Sequence, residues 1–200
     1  MNVFDFDGTL YHGDSTFDFC RFCLKKDPKL VKYSPTILAA FARYTVKRID
    51  KTQMKEMFYR FLRDVDTEPM VEEFWQTHKQ NIYPWYAALH EEDDIVISAS
   101  PEFLLKPICQ ELGIHTLMAS RVDPHTGEYT GINCHGQEKV RRLEELTGVT
   151  HVDRFYSDSQ HDLPLARIAY EAFLVDRKGN LHKWEFISEK AGNGRKKNQK

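Results

Sequence analysis

The sequence predicts an α/β fold: a doubly wound parallel sheet with a helical subdomain inserted after the first strand. Three observations predict it. Short β-branched runs that end in polar turns (residues 2–6, 94–98 and 152–157) alternate with helical stretches in the carboxyl-terminal half. That alternation implies parallel pairing through crossover helices. From residue 15 to about residue 90 the pattern is helical, with no strand-like alternation. The length, 200 residues, suits one domain with a modest insertion.

The elements follow in order. Residues 2–6 read as a buried strand that stops at Asp7-Gly8-Thr9. Asp14 or Ser15 can cap the first helix, Pro28 and Pro35 bracket a loop, and Asp50 or Thr52 can cap a helix running to about residue 65. Another helix begins near Glu68-Pro69 and ends before Pro84. Residues 94–98 (DIVIS) form a strand. Ser100 then suits an N-cap and Pro101 the first helical position, with Gly113 as the stop. A strand is expected over 115–119, a hairpin over 121–132 around Pro124-His125-Thr126-Gly127, and a charged helix over 137–146. A strand at 152–157, a helix at 163–171 and a strand at 172–176 complete the pattern. Residues 1–14 and 91–188 therefore make the α/β core. Residues 15–90 make a helical cap over the carboxyl ends of the strands, where open α/β sheets place their ligands. Residues 189–200 are a basic tail without apolar anchors, read as disordered.

Composition narrows the function. A formal net charge of -2 offers no global basic field for nucleic acid. The first residues lack a basic and then apolar leader, and residues 37–46 are too short to span a bilayer and include Arg43, so a cytoplasmic location is expected, with peripheral membrane contact left open. Cysteines there stay reduced. Cys20 and Cys23 form a C-x-x-C within a helical run, which reads as packing and not as a metal or redox site.

Four elements carry chemistry. Asp5 and Asp7 flank Phe6 at a strand end, where the turning chain lets both carboxylates reach one crevice; one can attack as nucleophile while the other transfers protons. Gly8 permits the sharp turn, and Thr9 adds a hydroxyl near a prospective anion site. Asp158 and Asp162 add two carboxylates at the end of another strand. Such convergence repels itself, and a hard divalent cation, Mg2+, relieves it. Ser98, with the following N–H of Ala99, can hold a phosphoryl oxygen. Lys139 near a helix start opposes the helix dipole, and pairing with the nucleophile and the phosphate would explain it; Ser100, Arg141 and Arg142 are read as a cap and two surface cations.

In this order the four elements resemble the motifs of the haloacid dehalogenase (HAD) superfamily of phosphohydrolases. The resemblance implies a Rossmann-like core, phosphorylation of Asp5, Asp7 as general acid and base, and Ser98 and Lys139 as phosphoryl holders. It also implies Mg2+ bound by Asp5, the Asp7 carbonyl and Asp158, with Asp162, Thr9, Gly8 and Ala99 in support. The helical insertion is similar to the cap of the phosphoserine-phosphatase-like branch. Residues 98–101, 134–140 and 157–159 are more similar still to a sub-branch of small bacterial hydrolases that includes a phosphatidylglycerophosphate phosphatase. Ser157 stands where many members have Gly, and it is tolerated if the backbone avoids positive φ. Asp14 stands where phosphoserine phosphatases carry a substrate-reading Glu.

The expected activity is hydrolysis of a small phosphate ester, phosphoserine-like. Asp14 and one of Arg43, Arg48, Arg60 or Arg63 are the candidates to read it. The alternatives are a lipid phosphate lying along Ile37, Leu38, Phe41 and Tyr44, or a non-hydrolytic phosphate-binding protein, whose signature would be a lost catalytic residue. His12 and His161 flank the motifs and are read as peripheral.

Overall fold

A computed structural model describes residues 1–186, and the basic tail lies outside the described residues. Six strands form one sheet in the order β3-β2-β1-β4-β5-β6. They are β1 (Asn2–Phe4), β2 (Ile95–Pro101), β3 (Thr116–Ser120), β4 (Val152–Ser157), β5 (Ala169–Val175) and β6 (Leu181–Lys183). The first five pair in parallel, and β6 runs antiparallel to β5. The chain winds outward through β2 and β3, then returns to the far side of β1 for β4 and β5. Strand order therefore reverses at β1, the place where open sheets leave a ligand crevice.

Alternation along each strand divides two cores. Val3, Ile95, Ile97, Val152 and Phe155 face a layer with Val140, Leu143 and Leu165, supplied by α7 (Gln137–Thr147) and α8 (Leu163–Ala166). Phe4, Val96 and Tyr156 face the opposite layer, with Leu104, Leu105 and Ile108 of α6 (Glu102–Glu111). On that face Phe4 stacks on Tyr156 at 4.7 Å, and Tyr156 on Phe173 at 5.1 Å. The stack ties three neighbouring strands together through aromatic pairs.

Between β1 and β2 the chain is helical: α1 (Ser15–Lys26), α2 (Ser34–Thr45), α3 (Lys51–Tyr59), α4 (Thr67–His78) and the short α5 (Trp85–Leu89). Asp14 caps α1 by accepting from the Phe17 N–H at 3.0 Å. Asp50 and Gln53 form a reciprocal capping box on α3. Phe19, Phe58, Phe74 and Trp75 continue the same apolar layer as Phe4, so the insertion is packed onto one sheet face. Cys23 is buried and Cys20 half-buried, both with free thiols; burial pushes Cys20 up to about 11 and Cys23 up to about 12, which disfavours thiolate chemistry. Among the described residues no helix is long and apolar enough to cross a membrane.

Several local expectations change. Residues 28–33 form a 3-10 helix where a loop was expected, and Pro35 sits in the first turn of α2. The helix expected over 163–171 stops at Ala166, because residues 169–175 pair with β4, register Arg154↔Glu171. The hairpin expected over 121–132 is reduced to one bridge, Val122↔Tyr129. Asp123 draws the chain into a turn by accepting from the N–H groups of His125 and Thr126, both at 2.8 Å. Arg142 is no surface cation; it donates to the carbonyls of Ala119 and Ile132 and pairs with Glu138.

Gly127 closes that turn with φ +77, and a Cβ there would lie 2.5 Å from the Tyr59 carbonyl oxygen of α3. Gly127→Ala should therefore destabilise the protein by about 1–3 kcal/mol. Urea unfolding measures this, and an unchanged midpoint would show that the turn does not bear on α3.

Candidate active site

The site begins where β1 ends. The Asp5 N–H donates to the Tyr156 carbonyl at 2.9 Å, so the ladder to β4 extends one residue past the strand. The chain then coils: the Phe6 carbonyl accepts from Leu10 and Tyr11, each at 2.9 Å. Gly8 adopts φ +71, and a Cβ there would collide with the Asp158 carboxylate. Only glycine fits both the turn and the approach of that carboxylate. Thr9 is fully buried and its hydroxyl accepts the Asp158 N–H at 2.9 Å. Its role is thus to fix the β4 loop, not to face an anion.

Lys139, in the first turn of α7, donates to Asp5 Oδ1 at 2.8 Å and to Asp162 Oδ2 at 2.7 Å. Burial works against its ammonium, but Asp5 and Asp162 outweigh that and raise its pKa. Ser157 donates to Asp162 at 2.9 Å and accepts from the Ser159 N–H at 3.1 Å. Its backbone avoids positive φ, so serine suits the place where glycine was the expectation.

Asp7 is held at both oxygens. The Ser15 N–H donates to Oδ1 at 2.6 Å, and the Ser100 hydroxyl donates to Oδ2. Ser100 in turn exchanges a hydrogen bond with Thr16 at 3.0 Å. Ser100 is therefore not the helix cap that the sequence suggests. The strand runs on to Pro101, which is the capping residue itself, and the helix starts at Glu102. Burial, reinforced by Asp14, pushes Asp7 up to about 6 in spite of these donors. Ser98 is buried beside it and accepts the Ser100 N–H at 3.1 Å.

All of the candidate residues but Thr9 line one cavity of about 850 Å³. Six carboxylates face it, on Asp5, Asp7, Asp14, Asp158, Asp162 and Asp176, against four cations, on Lys51, Lys55, Lys139 and Arg177. One divalent cation matches that excess of two negative charges. Burial and then Asp5 push the Asp158 carboxyl up to about 6, and it makes no hydrogen bond among the described residues. Asp5, the Asp7 carbonyl and Asp158 thus offer an all-oxygen donor set of the kind Mg2+ takes. Glu91, Asp93 and Asp94 form a tighter acidic group, but at the amino end of β2, where Asp94 is tied to Asn2 and Tyr86.

The insertion contributes differently from expectation. Arg43, Arg48, Arg60 and Arg63 do not line the cavity, whereas Lys51 and Lys55 do. His12 and His161, read as peripheral, also line it, together with His135. Ile37 and Phe41 pack inward; Leu38 and Tyr44 are exposed, and none of the four reaches the cavity. The lysines carried one sequence signal, two like charges at i and i+4 directly after a helix cap.

A family model for haloacid dehalogenase-like hydrolases matches residues 3–167. The chain belongs to that family. A histidinol-phosphatase of Neisseria meningitidis serogroup C is 25% identical over 92% of this chain and 93% of its own length. A Bordetella pertussis Tohama I protein of unknown function has the same fold at a TM-score of 0.71, with 22% identity over 86% of this chain and 87% of that one. A phosphoserine phosphohydrolase-like protein from Francisella tularensis subsp. tularensis SCHU S4 superposes at 0.55, with 16% identity over 86% and 84%. The haloacid dehalogenase-like match thus runs from β1 to α8 and contains every residue lining the cavity except Val175, Asp176 and Arg177.

If Ser100 orients Asp7, Ser100→Ala should lower kcat on p-nitrophenyl phosphate by about ten- to a hundredfold. KM should change little, and Ser100→Thr should recover part of the loss. Loss confined to KM would remove Ser100 from the proton-transfer apparatus.

Proposed function

We propose that this phosphohydrolase is a magnesium-dependent phosphomonoesterase that works through a phosphoaspartate on Asp5. The observation that carries the reading is the state of the Asp5 carboxylate. Oδ1 is held by Lys139, while Oδ2 accepts no hydrogen bond among the described residues, in a side chain lining the cavity. An anchored carboxylate with one open oxygen is a positioned nucleophile.

Asp5 Oδ2 attacks phosphorus, and the ester P–O bond breaks. Asp7 gives its proton to the departing alcohol oxygen. In the second half Asp7 takes a proton from water, water oxygen bonds to phosphorus, and the bond to Asp5 breaks to release inorganic phosphate. A group pushed up to about 6 can serve in both directions near neutral pH. Lys139 and the Ala99 N–H stand against the phosphoryl oxygens. Asp5, the Asp7 carbonyl and Asp158 would hold Mg2+, which when bound adds positive charge there.

The substrate on this reading is a small, polar, phosphoserine-like metabolite. The cavity is of small-molecule size, and most of the residues lining it carry charged or polar side chains. Residues 15–90 serve as the cap that reads the alcohol. Asp14 Oδ1 is occupied by the Phe17 N–H, which leaves Oδ2 to accept from a substrate amine. The presence of the whole set in one cavity favours hydrolysis over mere phosphate binding.

Asp5→Asn should abolish phosphate release while circular dichroism stays native, and EDTA should silence the wild type until Mg2+ is returned. Persistent turnover in either case would sink the mechanism. A second expectation concerns stability. Burial raises the folded pKa values of Asp5 and Asp158 above the ordinary 3.8, so their contribution favours the fold at low pH and fades as pH rises through about 6. Mg2+ offsets that loss by binding the ionised forms. It should raise Tm more at pH 7.5 than at pH 5, and equal increments at both would argue against these ligands.

A further inference from the structure

Lys51 and Lys55 are arranged at a cost to the fold. They lie at i and i+4 on α3, where like charges repel. Lys51 is the first residue of the helix, where a cation opposes the dipole. Burial disfavours both ammonium groups. Neither forms an ion pair among the described residues, although six carboxylates line the same cavity.

Their position is fixed by the surroundings of α3. Lys55 Nζ donates to the Ala99 carbonyl at 2.8 Å, directly after Ser98. That one bond leaves its other two N–H donors unassigned. The Asn133 side chain donates to Thr52 at 3.4 Å, and the Tyr129 N–H donates to Glu56 at 3.3 Å. The helix is therefore fastened to residues 129–133 at the position just after each lysine. Lys139 already serves Asp5, so the reacting phosphoryl group does not need these two cations to balance the nucleophile. They reach the cavity from the insertion, the part that meets the alcohol on the proposed reading, and Asp14 lines the same cavity.

We propose that Lys51 and Lys55 form an anion subsite for the leaving group, so that the preferred substrates are phosphomonoesters whose alcohol carries a second anionic group. A carboxylate and a further phosphate share that chemistry. With Asp14 free to take an amine, the pair also fits a zwitterionic alcohol. This rests on the phosphomonoesterase reading, and the test separates the two.

The experiment compares four short esters with Mg2+: ethyl phosphate, phosphoethanolamine, phosphoglycolate and ethylene glycol bisphosphate. Turnover of any of the four decides whether the protein is a phosphomonoesterase. The subsite is decided by ratios. The kcat/KM for phosphoglycolate or the bisphosphate should exceed that for ethyl phosphate by about tenfold or more, as a charged hydrogen bond would give. The better of the two identifies the source of the anion. In Lys51→Met/Lys55→Met the ratio should fall towards one, and Lys51→Glu should shift preference to phosphoethanolamine. Calorimetric binding of the same esters to Asp5→Asn gives the ratio even if turnover is absent. A wild-type ratio near one, or one that the lysine variants leave unchanged, overturns the subsite.

Discussion

The Lys139 ammonium, buried between Asp5 and Asp162, is the interaction on which the rest of the site depends. Its side chain is 3% exposed, and those of its partners 12% and 4%. A charge that deep costs several kcal/mol unless it is paired and hydrogen-bonded. The two carboxylates that satisfy it come from the end of β1 and from the 3-10 turn that follows β4. Lys139 itself comes from the first turn of α7, behind a glycine at φ +60. Three elements distant in sequence must therefore meet at one point before any of the three charges is stable. The parallel sheet, with β1 between β2 and β4, is the arrangement that lets them.

From that point the remaining contacts follow as consequences of crowding. Asp162 is steadied by Ser157, and the Asp158 backbone by Thr9, so the loop after β4 has little freedom. The Asp158 carboxylate is then pressed against Gly8, where no side chain could stand. Among the described residues, five of the six carboxylates accept a hydrogen bond and that of Asp158 does not, and the cavity keeps more negative charge than its cations neutralise. The geometry is stable as a scaffold and electrostatically incomplete, which is the condition a hard cation answers.

Most of the sheet was legible because its strands are short apolar runs with abrupt polar ends, and the first-strand motif announces its own turn. Val152–Ser157 is found at the predicted bounds. The failures have physical causes. Residues 167–171 look helical by local composition, but a partner strand was waiting, and pairing overrides propensity. Ser100 before Pro101 has every local mark of a cap. Its actual partner, Asp7, lies 93 residues away, and no local rule can see it. In the sequence Lys51 and Lys55 look no different from the arginines of the insertion, because helix faces are ambiguous until packing decides which one turns inward. Asp5, Asp7, Ser98, Lys139 and Asp158, which stand out in the sequence by residue type at strand and helix ends, all line one cavity.

The bond from Ser15 to Asp7 has one more implication. The insertion begins on the very carboxylate that the mechanism would use to move protons: the first N–H of α1 donates to one Asp7 oxygen, and Thr16, a residue later, steadies the serine on the other. The root of α1 cannot swing away without loosening both grips. An opening of the roof that bends at this root would leave the acid misaligned, and a closing one would bring it back into line. Proton transfer and enclosure of the substrate would then be timed by the same two hydrogen bonds, with no separate signal between them.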